Sequence, residues 1–309
     1  MPHWITGLVW VAFAIVQAAA QNHLIITGSN VRLRSEPQTT ASEVARFALG
    51  TIVTELEKSP DGQWRRVAAP DGLTGWVFAN FVARFDEKNA AESYRSLAQA
   101  RLKLTTSSFN ERLELVRFLD RVVSEIRGPA LVEFKFLRLT ALNESVKDIR
   151  RYEPQDPSQR EWVMQHETEL AFSEPAGQWI LQSELFWKLE AEYHDQPIAE
   201  AIAWAGARNS FPGECEGYIP CDLTILLMSE GRYLDLYPAG PHMDEALDAI
   251  DFLLNETLKP DSPYTAETAD RDQLQKQGAE LTAILGKIAS PRKTQIIERL
   301  RAMVQRYSK

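Results

Sequence analysis

Two arginines one residue apart, Arg32 and Arg34, stand in the run Asn30-Val31-Arg32-Leu33-Arg34-Ser35-Glu36-Pro37, and an indole follows in Gly75-Trp76-Val77. If Val31 and Leu33 point inward from a strand, alternation places both guanidinium groups on its outward face. A guanidinium pair beside an indole can grip a carboxylate bidentately and stack the apolar part of the same ligand. Asp71, in the turn Pro70-Asp71-Gly72, is the acidic member of this candidate binding set. The same residues also have a use without a ligand. The arginines serve as solvated charges, and Trp76, with Trp64 and Phe81, fills the core of a small domain that depends on aromatic burial. The residues by themselves leave both readings open.

Other chemistry is sparse. Cys215 and Cys221 are the two cysteines of the chain, in Glu214-Cys215-Glu216-Gly217-Tyr218-Ile219-Pro220-Cys221. Two thiols so close together in an oxidising compartment read as one disulfide, and closing so short a loop contributes on the order of 2 kcal/mol. A zinc site needs further Cys or His beside them, and a thioredoxin-like pair needs two intervening residues rather than five. His166-Glu167-Thr168-Glu169-Leu170 opens like the helical zinc-protease motif, but Leu170 stands where the second imidazole is required. Gly206-Ala207-Arg208 and Gly286-Lys287 lack the pattern of a phosphate loop. Glycosidase chemistry needs only two carboxylates, and Glu200, Glu214 and Glu216 near the cysteine loop are the candidate acids, with solvated surface charge as their alternative. No nucleophile, metal or cofactor constellation emerges, so the expectation is a non-enzymatic protein with no metal and no cofactor.

Charge narrows the partners. The chain of 309 residues carries net −9. Residues 22–85 hold seven basic against six acidic residues, so the acid surplus lies after them. A negative surface repels nucleic-acid phosphates and anionic membranes. Residues 4–20 form an apolar run without a charged side chain, closing on Ala18-Ala19-Ala20. An apolar segment followed by small residues is the design of a cleaved secretory signal, and its core from Leu8 to Val16 is short for a bilayer of roughly 30 Å. The lack of Lys or Arg in residues 1–7 keeps a retained anchor as the alternative. Residues 1–20 are therefore expected to be a signal peptide, with a periplasmic or secreted product that has no integral membrane span after cleavage.

Residues 22–85 read as a small β domain. Val31 and Leu33 alternate with Arg32 and Arg34, and Ile52, Thr54 and Leu56 alternate with polar neighbours, the period of half-buried strands. Pro37 ends the first run. Ser59-Pro60-Asp61-Gly62 and Pro70-Asp71-Gly72 are turn clusters, and Gly75 lets another backbone come close. Short strands with regularly spaced turns predict a sandwich or barrel. This ordered set, from Asn30-Val31-Arg32-Leu33-Arg34 through Gly50-Thr51-Ile52-Val53 and Trp64-Arg65-Arg66-Val67 to Gly75-Trp76-Val77 and Asn80-Phe81-Val82, resembles a bacterial-type SH3 domain. The resemblance implies an SH3-like barrel that binds a cell-wall peptide or an envelope protein.

Residues 86–309 read as helical. Ser108-Phe109-Asn110-Glu111 and Ser158-Gln159-Arg160-Glu161 fit capping boxes, and Phe109, Leu113, Val116, Leu119, Val123 and Ile126 keep a helical stripe. Gly128-Pro129 divides that helix from the next, and Ser290-Pro291 places a cap before a first-turn proline. Tyr152…Pro157, Tyr193…Pro197 and Tyr237…Pro241 recur at spacings of 41 and 44 residues, a period that suits helical hairpins. Residues 231–254, with Tyr237-Pro238-Ala239-Gly240 before Glu245-Ala246-Leu247, are similar to the turn of envelope tetratricopeptide repeats. The expected architecture is multidomain: an SH3-like β-barrel, then an all-α region built as a helical repeat or as a compact helical domain. Its function is expected to be that of an exported envelope binding or scaffold protein, with a wall-lytic or other hydrolase targeted by the barrel as the alternative.

Overall fold

The computed structural model describes residues 22–309, so the expected signal segment lies outside the described residues. The chain divides into two compact units, one ending at Ser93 and one spanning Tyr94–Lys309.

The first unit is a strand barrel. Its strands are β1 His23–Ile26, β2 Val31–Arg34, β3 Glu43–Phe47, β4 Ile52–Lys58, β5 Trp64–Ala68, β6 Thr74–Phe78 and β7 Val82–Arg84. They form one antiparallel sheet in the order β3-β2-β6-β5-β4-β1-β7. Val31, Leu33, Val53, Val67 and Val77 meet in its core with Leu24, Ile26 and Phe47. The turns sit where the local chemistry places them: Gly62 and Gly72 both take positive φ, the conformation glycine tolerates without a steric cost. Gly75 is required by close approach, since a Cβ there would lie 2.7 Å from the Arg34 carbonyl oxygen and 2.8 Å from Leu33 Cγ.

One strand runs in the opposite phase to the expectation. Val53 is buried at 2% exposure while Leu56 is 48% exposed, so the inward residue of β4 is not in the Ile52-Thr54-Leu56 set. Val53 is the register partner of Leu24 on β1, both in the core, and a bulge follows it in the pairing with β5, between Glu55 and Glu57, which breaks alternation before Leu56.

The second unit is helical, as expected, with one departure. Its elements are α1 Ala90–Leu102, which begins at the unit boundary, α2 Phe109–Glu125, α3 Ala130–Val146, α4 Pro157–Gln165, β8 Leu170–Ser173, β9 Gln178–Leu181, α5 Glu184–Glu192, α6 Ala199–Arg208, α7 Ile219–Leu226, α8 Arg232–Leu236, α9 Met243–Leu258, α10 Arg271–Gly286 and α11 Lys293–Tyr307. A π-helical turn, Leu227–Gly231, joins α7 to α8. The β8–β9 hairpin was not anticipated in an all-α region. Its reversal uses Pro175 and Gly177, the latter at φ 59. Helices α2 and α3 pack antiparallel through Val116, Leu119, Phe134 and Leu142, all buried. A larger core joins α5–α11 through Trp187, Leu223, Tyr233, Leu247, Leu281 and Leu300.

The helix starts follow local capping chemistry. Ser108 caps α2 through a full capping box, its side chain accepting from the Glu111 N–H while Glu111 accepts from the Ser108 N–H at 2.8 Å. The box expected at Ser158 is replaced by Asp156, which accepts from the N–H groups of Ser158 and Gln159 and precedes Pro157 in the first helical turn. Proline at that position is pre-organised for the helix, so the cap moves ahead of it. At Ser290 the hydroxyl accepts from the Arg292 N–H, but α11 starts at Lys293, beyond the proline. The three Tyr…Pro segments each lie between one helix and the next. The helices around them differ in length, and the hairpin separates the first two segments. The tetratricopeptide resemblance therefore gains no support from the architecture. The Cys215–Cys221 pair is disulfide-bonded, with Cα atoms 5.4 Å apart, and Cys221 lies in the first turn of α7.

Candidate functional site

Strand pairing assembles a row of polar and aromatic side chains across the barrel. Arg34 on β2 is the register partner of Glu43 on β3 and of Trp76 on β6; Trp76 faces Arg66 on β5, and Arg66 faces Glu57 on β4. Directly opposed residues share one face of a sheet, so Glu43, Arg34, Trp76, Arg66 and Glu57 line up over five strands. Val77, Val67 and Leu33, next to them in sequence, are fully buried in the core, which fixes this row on the outer face. Trp76 is thus half-buried, with an arginine as its cross-strand partner on each side.

The outward face continues along β6. Phe78 alternates with Val77, and its ring meets Trp64 edge-on at 5.4 Å and Phe81 at 6.3 Å. Trp64 is buried under this cluster, whereas Phe81 is 45% exposed. Gly28 makes room for it, since a Cβ would lie 2.8 Å from Phe81 Cδ1. Of the three rings expected to fill the core or to line a groove, Trp64 is covered, and Trp76 and Phe81 are available to a ligand.

The arginines differ in how firmly they are held. Arg34, the cross-strand partner of Trp76, donates from Nη1 to the Ala41 carbonyl at 2.7 Å, which ties its guanidinium to the β2–β3 loop. Arg32 is exposed, lies opposite Arg46 and reaches Glu43 at 3.3 Å. Glu43 also accepts two hydrogen bonds from Arg46, at 2.6 and 3.0 Å. The hydrogen bond from Arg46 holds the Glu43 carboxyl below the ordinary carboxylate range, with the charges of Arg46, Arg32 and Arg34 adding to it. Arg66 pairs with Glu57 at 3.6 Å, both side chains about half exposed. Exposed pairs of this kind are worth ~0–1 kcal/mol, so a ligand carboxylate can replace Glu57 at little cost. Arg66 was missed by sequence reading, because its place beside Trp76 depends on strand register.

Asp71 does not join the group. It sits at the tip of the β5–β6 turn, where Oδ1 accepts from the Leu73 N–H at 3.0 Å, the local bond that aspartate offers a turn. Among the described residues it has no ion pair with Arg32 or Arg34. The three candidate acids are also dispersed. Glu200, on α6, accepts from Tyr233 Oη at 2.5 Å, while Glu214 and Glu216 are exposed in and beside the disulfide loop.

Residues 29–83 run from just before β2 into β7 and hold Val31, Leu33, Gly75 and Val77. They match the bacterial SH3 domain family. Residues 29–83 are a bacterial SH3 domain. No curated protein and no solved structure matches the chain. Strand β1 precedes the family match and pairs with β4 and β7, so the SH3 domain closes on a segment N-terminal to it.

Proposed function

We propose that the chain is an exported cell-envelope binding protein whose SH3 domain holds a carboxylate-bearing wall peptide or an envelope protein, with the helical unit as a scaffold. The observation that carries this reading is the Arg34–Trp76–Arg66 row on the outer face of a bacterial SH3 domain. An indole with an arginine as cross-strand neighbour on each side offers stacking and bidentate hydrogen bonding to the same ligand. The disulfide supports an extracytoplasmic location, since such bonds persist in oxidising compartments. Among the described residues, no helix is long and apolar enough to cross a membrane.

Co-sedimentation with purified cell-wall material tests the reading. Arg34→Ala combined with Arg66→Ala is expected to weaken retention without lowering the melting temperature, and Arg32→Ala to have a smaller effect because that side chain lies away from Trp76. Unchanged retention in the double variant moves the binding surface off this face.

A further inference from the structure

A second aromatic surface lies in the helical unit, far in sequence from the SH3 domain. Tyr152, after α3, is 66% exposed and stacks on Trp179 of β9 with ring centroids 5.8 Å apart and planes 16° from parallel. Phe172 of β8 meets both rings edge-on, at 5.8 and 5.9 Å. Beside them opens a cleft of about 630 Å³, lined also by Met164, which is 66% exposed, and by Arg160, Glu153 and Glu167. That volume is in the range of small-ligand sites, which combine apolar walls with a few polar groups.

The cleft is held rigid. The Trp179 indole N–H donates to the Arg151 carbonyl at 3.0 Å, and the Trp179 backbone N–H to the Ile149 carbonyl at 3.1 Å. Arg160 donates from Nε and Nη2 to the Pro154 carbonyl, both at 3.2 Å. Asp156 caps α4 from the same loop. The loop carrying Tyr152 is thereby tied to α4, and the Trp179 ring is oriented by its indole hydrogen bond. Rings fixed before binding lower the entropic cost of recognition.

We infer that this cleft binds a neutral pyranose glycan of the N-acetylated amino-sugar type, stacking one sugar face on the open side of Tyr152. The choice of amino sugar rests on the envelope reading above; the stacking site does not. Three observations select the chemistry. The C–H face of a pyranose is apolar and matches an exposed ring whose other side is already covered. Glu153 and Glu167 provide acceptors for ring hydroxyls at the rim. The same two carboxylates oppose a nucleic acid, whose aromatic platforms come with basic grooves, and the one guanidinium present is engaged by Pro154. A proline-rich peptide needs a slot between aromatic walls, but here Tyr152 and Trp179 lie on each other and Phe172 closes their edge.

The test is calorimetric titration of the full chain with fully N-acetylated chitotetraose, with a proline-rich decapeptide as comparator. Wild-type protein and Tyr152→Phe should bind the sugar saturably, and Tyr152→Ala should lose about tenfold in affinity or more with an unchanged circular dichroism spectrum. Absence of saturable binding to wild type, equal binding by Tyr152→Ala, or binding of the peptide in place of the sugar overturns the inference. Arg34→Ala with Arg66→Ala should leave chitotetraose binding intact. Lost wall retention in that variant, with no sugar binding by wild type, defeats this inference alone. Sugar binding with unaltered wall retention defeats the SH3 reading alone.

Discussion

Acid should loosen the helical unit through one carboxylate. Glu169 follows α4 and accepts from Arg138 Nη2 at 3.0 Å and from Nη1, while its Oε2 lies 2.9 Å from His166 Nδ1. Arg138 of α3 also donates from Nε to Asp120 of α2 at 2.8 Å, so the cluster ties α2, α3 and the segment entering β8. Burial works to raise the Glu169 carboxyl, but the hydrogen bonds from His166 and Arg138 and their charges outweigh it and hold it at about 2, against an ordinary 4.5. A native carboxyl that ionises more readily than the unfolded one contributes stability above the unfolded value and loses it as pH falls toward the native value. The full shift corresponds to on the order of 3 kcal/mol, and about 2 kcal/mol of it is gone near pH 3. Urea unfolding followed by helical circular dichroism, near pH 6 and near pH 3, measures the loss. Glu169→Gln cannot titrate, so its stability should fall between the two conditions by about 2 kcal/mol less than that of wild type. Equal falls in the two proteins would refute the assignment of acid sensitivity to this cluster.

Two further outcomes follow from local geometry. Gly75→Ala should destabilise the barrel by about 1–3 kcal/mol, read as a lowered midpoint in chemical denaturation, because the added methyl meets the Arg34 carbonyl at 2.7 Å and strand backbone must shift. Cys215→Ser with Cys221→Ser should lower stability by about 2 kcal/mol while leaving the helical spectrum intact, since the bridge closes only a short loop onto the first turn of α7. A collapsed spectrum would give the disulfide a wider role than that of a local staple.

What could be read in advance depended on how local its cause was. The inward phase of Val31 and Leu33, the turn glycines Gly62 and Gly72 and the close approach at Gly75 all follow from residues a few positions apart, and the structure has each of them. The capping box at Ser108 is local in the same way. The inward phase of Val53 is set by its pairing with Leu24 on β1, a long-range register that leaves no mark in composition. Arg66 escaped notice because its neighbour Trp76 is set by register between β5 and β6. Asp71 was included because the chain brings it close in sequence, yet its own turn uses it. The β8–β9 hairpin had a legible reversal in Glu174-Pro175-Ala176-Gly177 with alternating Leu170 and Phe172 before it, but the helical stripes on both sides masked so short a pattern.

The central claim is that the Arg34–Trp76–Arg66 face of the SH3 domain is where a ligand binds. The most direct measurement is an NMR titration of isotopically labelled protein with a wall stem peptide bearing free carboxylates. The predicted result is saturable shifts at the Trp76 indole N–H and at the backbone amides of Arg34 and Arg66, abolished when the peptide carboxylates are amidated. Shifts confined to other faces of the barrel or to the helical unit, or none at all, would contradict it.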